Sequence, residues 1–207
     1  MNVYVESNFV LELALLQEQH ASCEEVLHLS EAGSVHLVIP AYSIAEPYET
    51  LVRRHKQRKR MKAELDDELR QLARTTAYAQ RLSGFQNLTV LLIDSADEEA
   101  KRLEEVQVRL LKAGEVIPLE ALTLTSATQY QRIHGLSPQD AIVYASVLSH
   151  LKQHGTSQSC FLNRNSKDFD DPDLVEELNA HNCKLLAQFD AGYQFIISRL
   201  SQDTEPV

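Results

Sequence analysis

Short apolar runs rich in β-branched residues alternate along this chain with longer segments whose apolar residues recur at helical spacing. The runs that predict strands are Asn2–Val5, His36–Ile39, Leu88–Ile93, Gln158–Leu162 and Cys183–Leu186. Parallel neighbours in a sheet need a crossover of about a dozen residues or more, which the intervening segments supply. The pattern therefore predicts an α/β fold, a three-layer α/β/α sandwich with a central parallel sheet of about five strands.

One segment departs from this alternation because it contains no helix breaker. Residues 48–82 hold neither glycine nor proline and are rich in the good helix formers Lys, Arg, Glu, Leu and Ala. We expect a long helix or a helical hairpin over residues 48–84 that projects as an arm. Residues 1–200 are predicted to form a single domain with this arm as an insertion, and residues 201–207 a flexible tail.

Composition indicates a folded protein in a reducing compartment. The chain has 207 residues with 43% apolar side chains, enough for one sizeable core. Cys23, Cys160 and Cys183 are an odd number of thiols without Cys-x-x-Cys spacing, which fits the cytoplasm. No apolar run approaches the length of a membrane span, so we expect a cytoplasmic protein with no membrane partner. The sequence also lacks a Gly-rich phosphate loop, a Gly-x-Ser-x-Gly motif and zinc-ribbon spacing, which removes the usual support for kinases, serine hydrolases and dinucleotide enzymes.

Charge is distributed unevenly along the chain. The formal net charge is -10, yet seven cations fall within ten residues, namely Arg53, Arg54, Lys56, Arg58, Lys59, Arg60 and Lys62. A concentrated basic run on an acidic body can bind a nucleic-acid backbone at one place while the remaining surface repels it. The same run can instead be a solvated helix face neutralised by the adjacent Glu64, Asp66, Asp67 and Glu68, and the sequence leaves both interpretations open.

Carboxylates recur where predicted strands end or predicted helices begin, at Glu6, Glu46, Asp140 and Asp168. An open α/β sheet gathers side chains from such positions into one crevice, and carboxylate oxygens are hard ligands that suit Mg²⁺ and Mn²⁺. Ordinary explanations exist for three of them: Glu46 and Asp140 fit capping patterns with Ser43 and Ser137, and Asp168 fits a turn. Glu6 is harder to explain, because a carboxylate buried at a strand end is costly without a partner.

Two histidines at helical spacing offer a weaker candidate for a metal site. His150 and His154 lie four residues apart on a predicted helix and share one face. No third ligand is near them in the sequence. We therefore interpret both as exposed residues of a helix end.

In their order and spacing, these motifs resemble the PIN domain, a metal-dependent nuclease fold that includes the toxins of many bacterial toxin–antitoxin pairs. The resemblance rests on Val5-Glu6-Ser7-Asn8 after the first strand, on a helix bearing Glu46 after the second, on Ser137-Pro-Gln-Asp-Ala141 at a helix start, and on Asn165-Ser-Lys-Asp-Phe169 after a later strand. It implies that Glu6, Glu46 and Asp140 match the first three acids of the family. The last acid falls on Asn165 or Asp168.

The same resemblance assigns supporting residues and shows two departures. Asn8 matches a residue that helps to hold the first loop, and Asn163 falls where the family commonly has Thr or Ser. Glu6 replaces the usual Asp and carries its carboxylate one methylene farther out. Asn165 lacks the charge that many members carry at its position. Four carboxylates remain, which is enough for at least one Mg²⁺ or Mn²⁺ site.

The resemblance implies a cytoplasmic, metal-dependent endonuclease that cleaves single-stranded RNA. Glu6, Glu46, Asp140 and Asp168 would hold the ion, with Asn8 and Asn165 forming hydrogen bonds around it. An antitoxin partner and a homodimer are further expectations from the family. The alternative is a PIN-like module with impaired catalysis that acts in RNA binding or protein–protein interaction, which the two departures favour.

Overall fold

Five parallel strands form the centre of the fold. The computed structural model describes residues 1–79, 81–82, 85–154, 158–164, 169 and 171–203. The strands in these ranges are β1 (Asn2–Val5), β2 (His36–Pro40), β3 (Gly114–Ile117), β4 (Ser159–Leu162) and β5 (Cys183–Leu186). Their order is β3-β2-β1-β4-β5, and every neighbouring pair is parallel. β1 therefore lies in the middle, with β2 on one side and β4 on the other.

Helices cover both faces of this sheet. They are α1 (Ser7–Leu15), α2 (His20–Glu31), α3 (Ala41–Ala73), α4 (Thr76–Ala79), α5 (Phe85–Ala113), α6 (Ala121–His134), α7 (Pro138–His154), α8 (Pro172–Ala180) and α9 (Phe189–Asp203). Alternation along β1 sends Val3 and Val5 into a core with α1, α2, α5 and α9, and Tyr4 into a second core with α6, α7 and α8. The predicted α/β/α sandwich is confirmed.

The third strand of the sheet is not where the sequence pattern predicts it. Leu88–Ile93 lies inside α5, and the third strand is Gly114–Ile117. The prediction is wrong because a short apolar run fits a buried strand and a helix equally well, and residues 85–113 contain no glycine or proline that would end the helix earlier. A Cβ atom on Gly114 would lie 3.2 Å from the carbonyl oxygen of Leu37, so the first position of β3 favours a residue without a side chain.

A long helical hairpin separates β2 from β3. α3 has 33 residues and α5 has 29, and the two helices pack against each other. The guanidinium of Arg58 on α3 donates two hydrogen bonds to the carboxylate of Glu99 on α5, at 2.8 and 2.9 Å. The helix predicted to start at residue 48 thus begins earlier, at Ala41, and the hairpin is completed by α5. Among the helices described, none is both long and apolar enough to cross a membrane.

A buried ion pair ties α1 to the segment that follows β4. The side chain of Glu12 on α1 is fully buried, and the guanidinium of Arg164 forms an ion pair with it. The other Glu12 oxygen accepts a hydrogen bond from the backbone N–H of Gln19 at 3.0 Å, and Arg164 also reaches the exposed Glu18 at 3.0 Å. A carboxylate removed from water must be paired, so this contact fixes the residue immediately after Asn163.

Removing Arg164 should destabilise the fold strongly. Arg164→Ala leaves the Glu12 carboxylate buried without its cation, and we expect the free energy of unfolding in urea to fall by about 3 kcal/mol. Glu18→Ala is the matched control, because it removes only the exposed partner of Arg164 and should cost less than about 1 kcal/mol. Equal losses for the two variants would contradict this assignment.

Candidate active site

A cavity of about 360 Å³ opens at the carboxyl ends of the central strands. Its lining includes Glu6 and Asn8 after β1, Glu46 on α3, Asp140 on α7 and Asn163 after β4. Three of the four predicted acids and two of the three predicted supporting amides therefore face one space. Asn165 and Asp168 lie outside the described residues.

Glu6 is the most buried of the three acids that line this site. Its side chain is 6% exposed, and one oxygen, Oε2, caps α1 by accepting a hydrogen bond from the backbone N–H of Asn8 at 2.8 Å. The other oxygen, Oε1, is buried and has no hydrogen-bond partner in the described part of the chain. Burial raises the pKa of Glu6 to about 8, although the N–H of Asn8 opposes the shift. Helix capping therefore explains one oxygen of this carboxylate but not the other.

Glu46 points into the cavity from the second turn of α3. The hydroxyl of Ser7 donates a hydrogen bond to its Oε2. The predicted capping pattern of Ser43 with Glu46 is wrong, because α3 begins earlier, directly after Pro40, and the buried Ser43 hydroxyl has no partner among the described residues. Glu46 thus has no role at a helix terminus, and its contact with Ser7 links α3 to the segment that follows β1.

Asp140 takes part in a helix cap and also lines the cavity. The predicted cap is present, since the backbone N–H of Asp140 donates to Ser137 Oγ at 3.2 Å and the Ser137 hydroxyl lies 2.5 Å from Asp140 Oδ2. The positive end of the α7 dipole favours a carboxylate at this position. The cap holds the side chain in an orientation that lines the cavity, so capping and ion binding are compatible here.

A second group of potential metal ligands lies elsewhere. One potential ligand atom from each of His134, Asp171 and Asp173 lies within 4.8 Å of the other two. The carboxylate oxygens of Glu6, Glu46 and Asp140 are not grouped this closely in the structure described. Asp171 is the N-cap of α8, accepting from the Asp173 N–H at 3.0 Å, and its other oxygen lies 2.7 Å from His134 Nδ1. Capping explains the position of Asp171, and the contact with Asp171 explains that of His134. Sequence reasoning missed this group because His134 and Asp171 belong to different elements.

The basic run divides into parts with different environments. Arg53 and Arg54 line the cavity, whereas Lys56 and Lys59 line a groove between α3 and α5. The other three cations form ion pairs within the protein: Arg58 with Glu99, Arg60 with Glu64 and Lys62 with Asp66. Neutralisation by neighbouring acids therefore holds for the second half of the run, and only its first two arginines face the acidic site.

The interpretation of His150 as an exposed residue is wrong. Its ring is buried, lies 2.8 Å from the hydroxyl of Tyr4 and 3.3 Å from Glu115, and stacks on His154 at 4.3 Å between ring centroids. Burial lowers the pKa of His150. α7 turns this residue toward β1 and β3, and the sequence spacing alone gave no indication of that burial.

The raised pKa of Glu6 predicts a specific dependence of stability on pH. Between its ordinary value of 4.5 and about 8, the folded protein binds the Glu6 proton and the unfolded chain does not, so this contribution to stability is lost as pH rises through that window. We expect Glu6→Gln to flatten the fall in melting temperature across the window, because the amide does not ionise. Glu18→Gln at an exposed site should keep the wild-type profile. Parallel profiles for wild type and Glu6→Gln would show that the carboxyl is not perturbed.

Comparison with known families agrees with the fold. The family model described as PIN domain matches residues 3–169, a range that contains β2 to β4, all of β1 except Asn2, and the cavity side chains discussed above. No curated protein matched the chain. The matched range covers most of the sequence, and the five-stranded parallel sheet between two helical layers agrees with it. The chain therefore belongs to the PIN domain family, whose fold is of the nuclease type.

Proposed function

We propose that this protein is a Mg²⁺- or Mn²⁺-dependent endonuclease that cleaves single-stranded RNA. The observation that carries the proposal is the buried Glu6 oxygen, which has no hydrogen-bond donor among the described residues and lies in a cavity that Glu46 and Asp140 also line. An unpaired carboxylate oxygen is costly to bury, and a divalent cation would offset that cost. The PIN-type fold supports nuclease chemistry, and the choice of RNA rests on the resemblance to the toxins of the family.

The residues that line the cavity fit a hard divalent ion. Glu6, Glu46 and Asp140 would supply carboxylate oxygens, and Asp168 is the fourth acid proposed from the sequence. The bound cation supplies a Lewis acid that lowers the pKa of water and offsets charge on the phosphoryl oxygens. Ser7 and Ser137 hold two of the carboxylates by hydrogen bonds. The Asn8 side chain lowers the pKa of Glu6, so it favours the ionised form that would bind a cation.

A specific observation favours a second candidate function. Burial raises the pKa of Glu6 to about 8, so at neutral pH this carboxyl is largely protonated before a cation binds. If the cation does not displace that proton, the protein would bind RNA without cleaving it. The two candidates differ in one outcome, which is whether RNA is hydrolysed in the presence of Mn²⁺.

Divalent cations should stabilise the folded protein through these acids. At a Mn²⁺ concentration roughly 100-fold above the dissociation constant, mass action contributes about 2.7 kcal/mol, which is measured as a rise in melting temperature. Asp140→Asn should abolish most of this rise. Asp173→Asn is the matched control, because it removes a carboxylate from the group formed with His134 and Asp171. A rise that is lost in Asp173→Asn and retained in Asp140→Asn would assign the ion to that other group.

Cleavage should depend on Glu46. With labelled single-stranded RNA and Mn²⁺, Glu46→Gln should lower the rate by roughly 100-fold or more, because stabilisation by a catalytic metal ion is worth several kcal/mol. Glu49→Gln, an exposed change on the same helix, should leave the rate unchanged. Single-stranded DNA of the same sequence tests the choice of RNA. Retained binding of RNA by the wild-type protein without hydrolysis would support the second candidate.

A further inference from the structure

The cavity has an acidic end and a basic end. α3 begins at Ala41, directly after β2, and runs away from the sheet edge. Glu46, Thr50, Arg53 and Arg54 follow one another at helical spacing along one face of α3, and all four line the cavity. The Cα atoms of the two arginines lie roughly 11 Å beyond that of Glu46 along the helix axis, from a rise of about 1.5 Å per residue. The backbone of the two arginines therefore lies about two helical turns farther from the sheet than the backbone of Glu46.

Arg53 and Arg54 differ from the other arginines of the basic run because they are not already paired with a described carboxylate. Within the ranges that the structure describes, no carboxylate forms a salt bridge with Arg53 or Arg54, whereas Arg58 and Arg60 are each paired with a glutamate. A guanidinium that is already paired must give up its partner before it can bind a phosphate. Arg53 and Arg54 can bind one without that loss.

We propose that Arg53 and Arg54 form a phosphate subsite, which holds a backbone phosphate adjacent to the one cleaved at the acidic end. The inference rests on the proposed nuclease function and narrows it, since it assigns substrate contact to two of the seven cations in the run. The planar guanidinium matches the geometry of phosphate oxygens and can bind two of them at once. Two positive charges at this end also offset the repulsion between the carboxylates and an approaching polyanion.

The lining of the cavity indicates what this subsite recognises. The apolar side chains among the described lining residues are Leu11 and Val143, and none of that lining is aromatic. Base recognition in single strands depends largely on stacking against aromatic rings, which these residues do not provide. Among the described residues, the cavity therefore offers no surface on which a base can stack, and we expect the two arginines to contact the RNA backbone.

Binding should be measured in the Asp140→Asn background, where we expect no cleavage. The double change Arg53→Ala with Arg54→Ala is compared with Lys59→Ala with Arg60→Ala, which removes the same charge from the same helix outside the cavity. Fluorescence anisotropy with a short labelled single-stranded RNA gives the dissociation constant over a series of salt concentrations. The cavity variant should lower the slope of log K against log salt by about 1.4, at about 0.7 for each phosphate contact in a single strand. The matched variant should lower it far less.

An equal decrease of the salt slope in the two variants would overturn the proposal, because it would show that RNA binds to a diffuse basic surface rather than to a subsite. An unchanged slope in the cavity variant would overturn it as well. Arg53→Lys with Arg54→Lys guards against a folding defect: it keeps both charges, so the salt slope should return to the wild-type value.

Kinetics provide a second readout. A contact with a neighbouring phosphate is made equally in the ground state and the transition state. With Asp140 retained, the double change Arg53→Ala with Arg54→Ala should therefore raise KM and leave kcat unchanged. A fall in kcat at constant KM would place the arginines at the reacting phosphate and contradict an adjacent subsite. The nuclease proposal and the subsite proposal can fail independently. If the wild-type protein binds RNA without cleaving it, the nuclease proposal fails, and the salt slopes still test the subsite.

Discussion

The position of β1 between two parallel neighbours is the constraint on which the rest of the structure depends. The chain leaves β1 toward β2 and β3, and returns through α6 and α7 to β4 on the opposite side. Connections that depart in opposite directions leave a crevice outside the carboxyl end of the central strand. Glu6 is the first residue beyond that end, so the topology places it at the base of the crevice. α3 and α7 then contribute Glu46 and Asp140 because both helices begin at this same edge.

The site is built at some cost to stability. Glu6 is buried with one oxygen unsatisfied in the described structure, although the Asn8 N–H and the Ser7 to Glu46 hydrogen bond organise the surrounding segment. Close by, Glu12 is buried to a greater degree, but Arg164 neutralises it. Both glutamates are buried, but only Glu12 has a cationic partner among the described residues. A protein cation holds the first helix in place at Glu12, whereas no cation among the described residues pairs with Glu6.

The seven cations of the basic run have different environments in the folded protein. Seven cations within ten residues give a single electrostatic signal. On α3 they point in different directions, and packing against α5 lets Glu99 neutralise Arg58, while Glu64 and Asp66 neutralise Arg60 and Lys62 along the helix itself. Of the seven cations, Arg53 and Arg54 line the cavity, and they follow Glu46 by about two helical turns. A charge that is already satisfied adds little to the binding of a polyanion, so position matters more here than the number of cations.

By itself, the sequence determined the α/β/α class and four of the five strands, because alternation and helical spacing are local signals. Its candidate acids Glu6, Glu46 and Asp140 line one cavity, whereas Asp168 lies outside the described residues. The sequence could not distinguish the helical run Leu88–Ile93 from a strand, or find the short strand at Gly114, since both depend on which surface packs against the run. Tertiary structure also decided that Glu46 faces a cavity rather than capping α3, that His150 is buried, and that Arg53 and Arg54 share a space with the carboxylates. Burial and charge pairing join residues distant in the chain, so no local pattern encodes them.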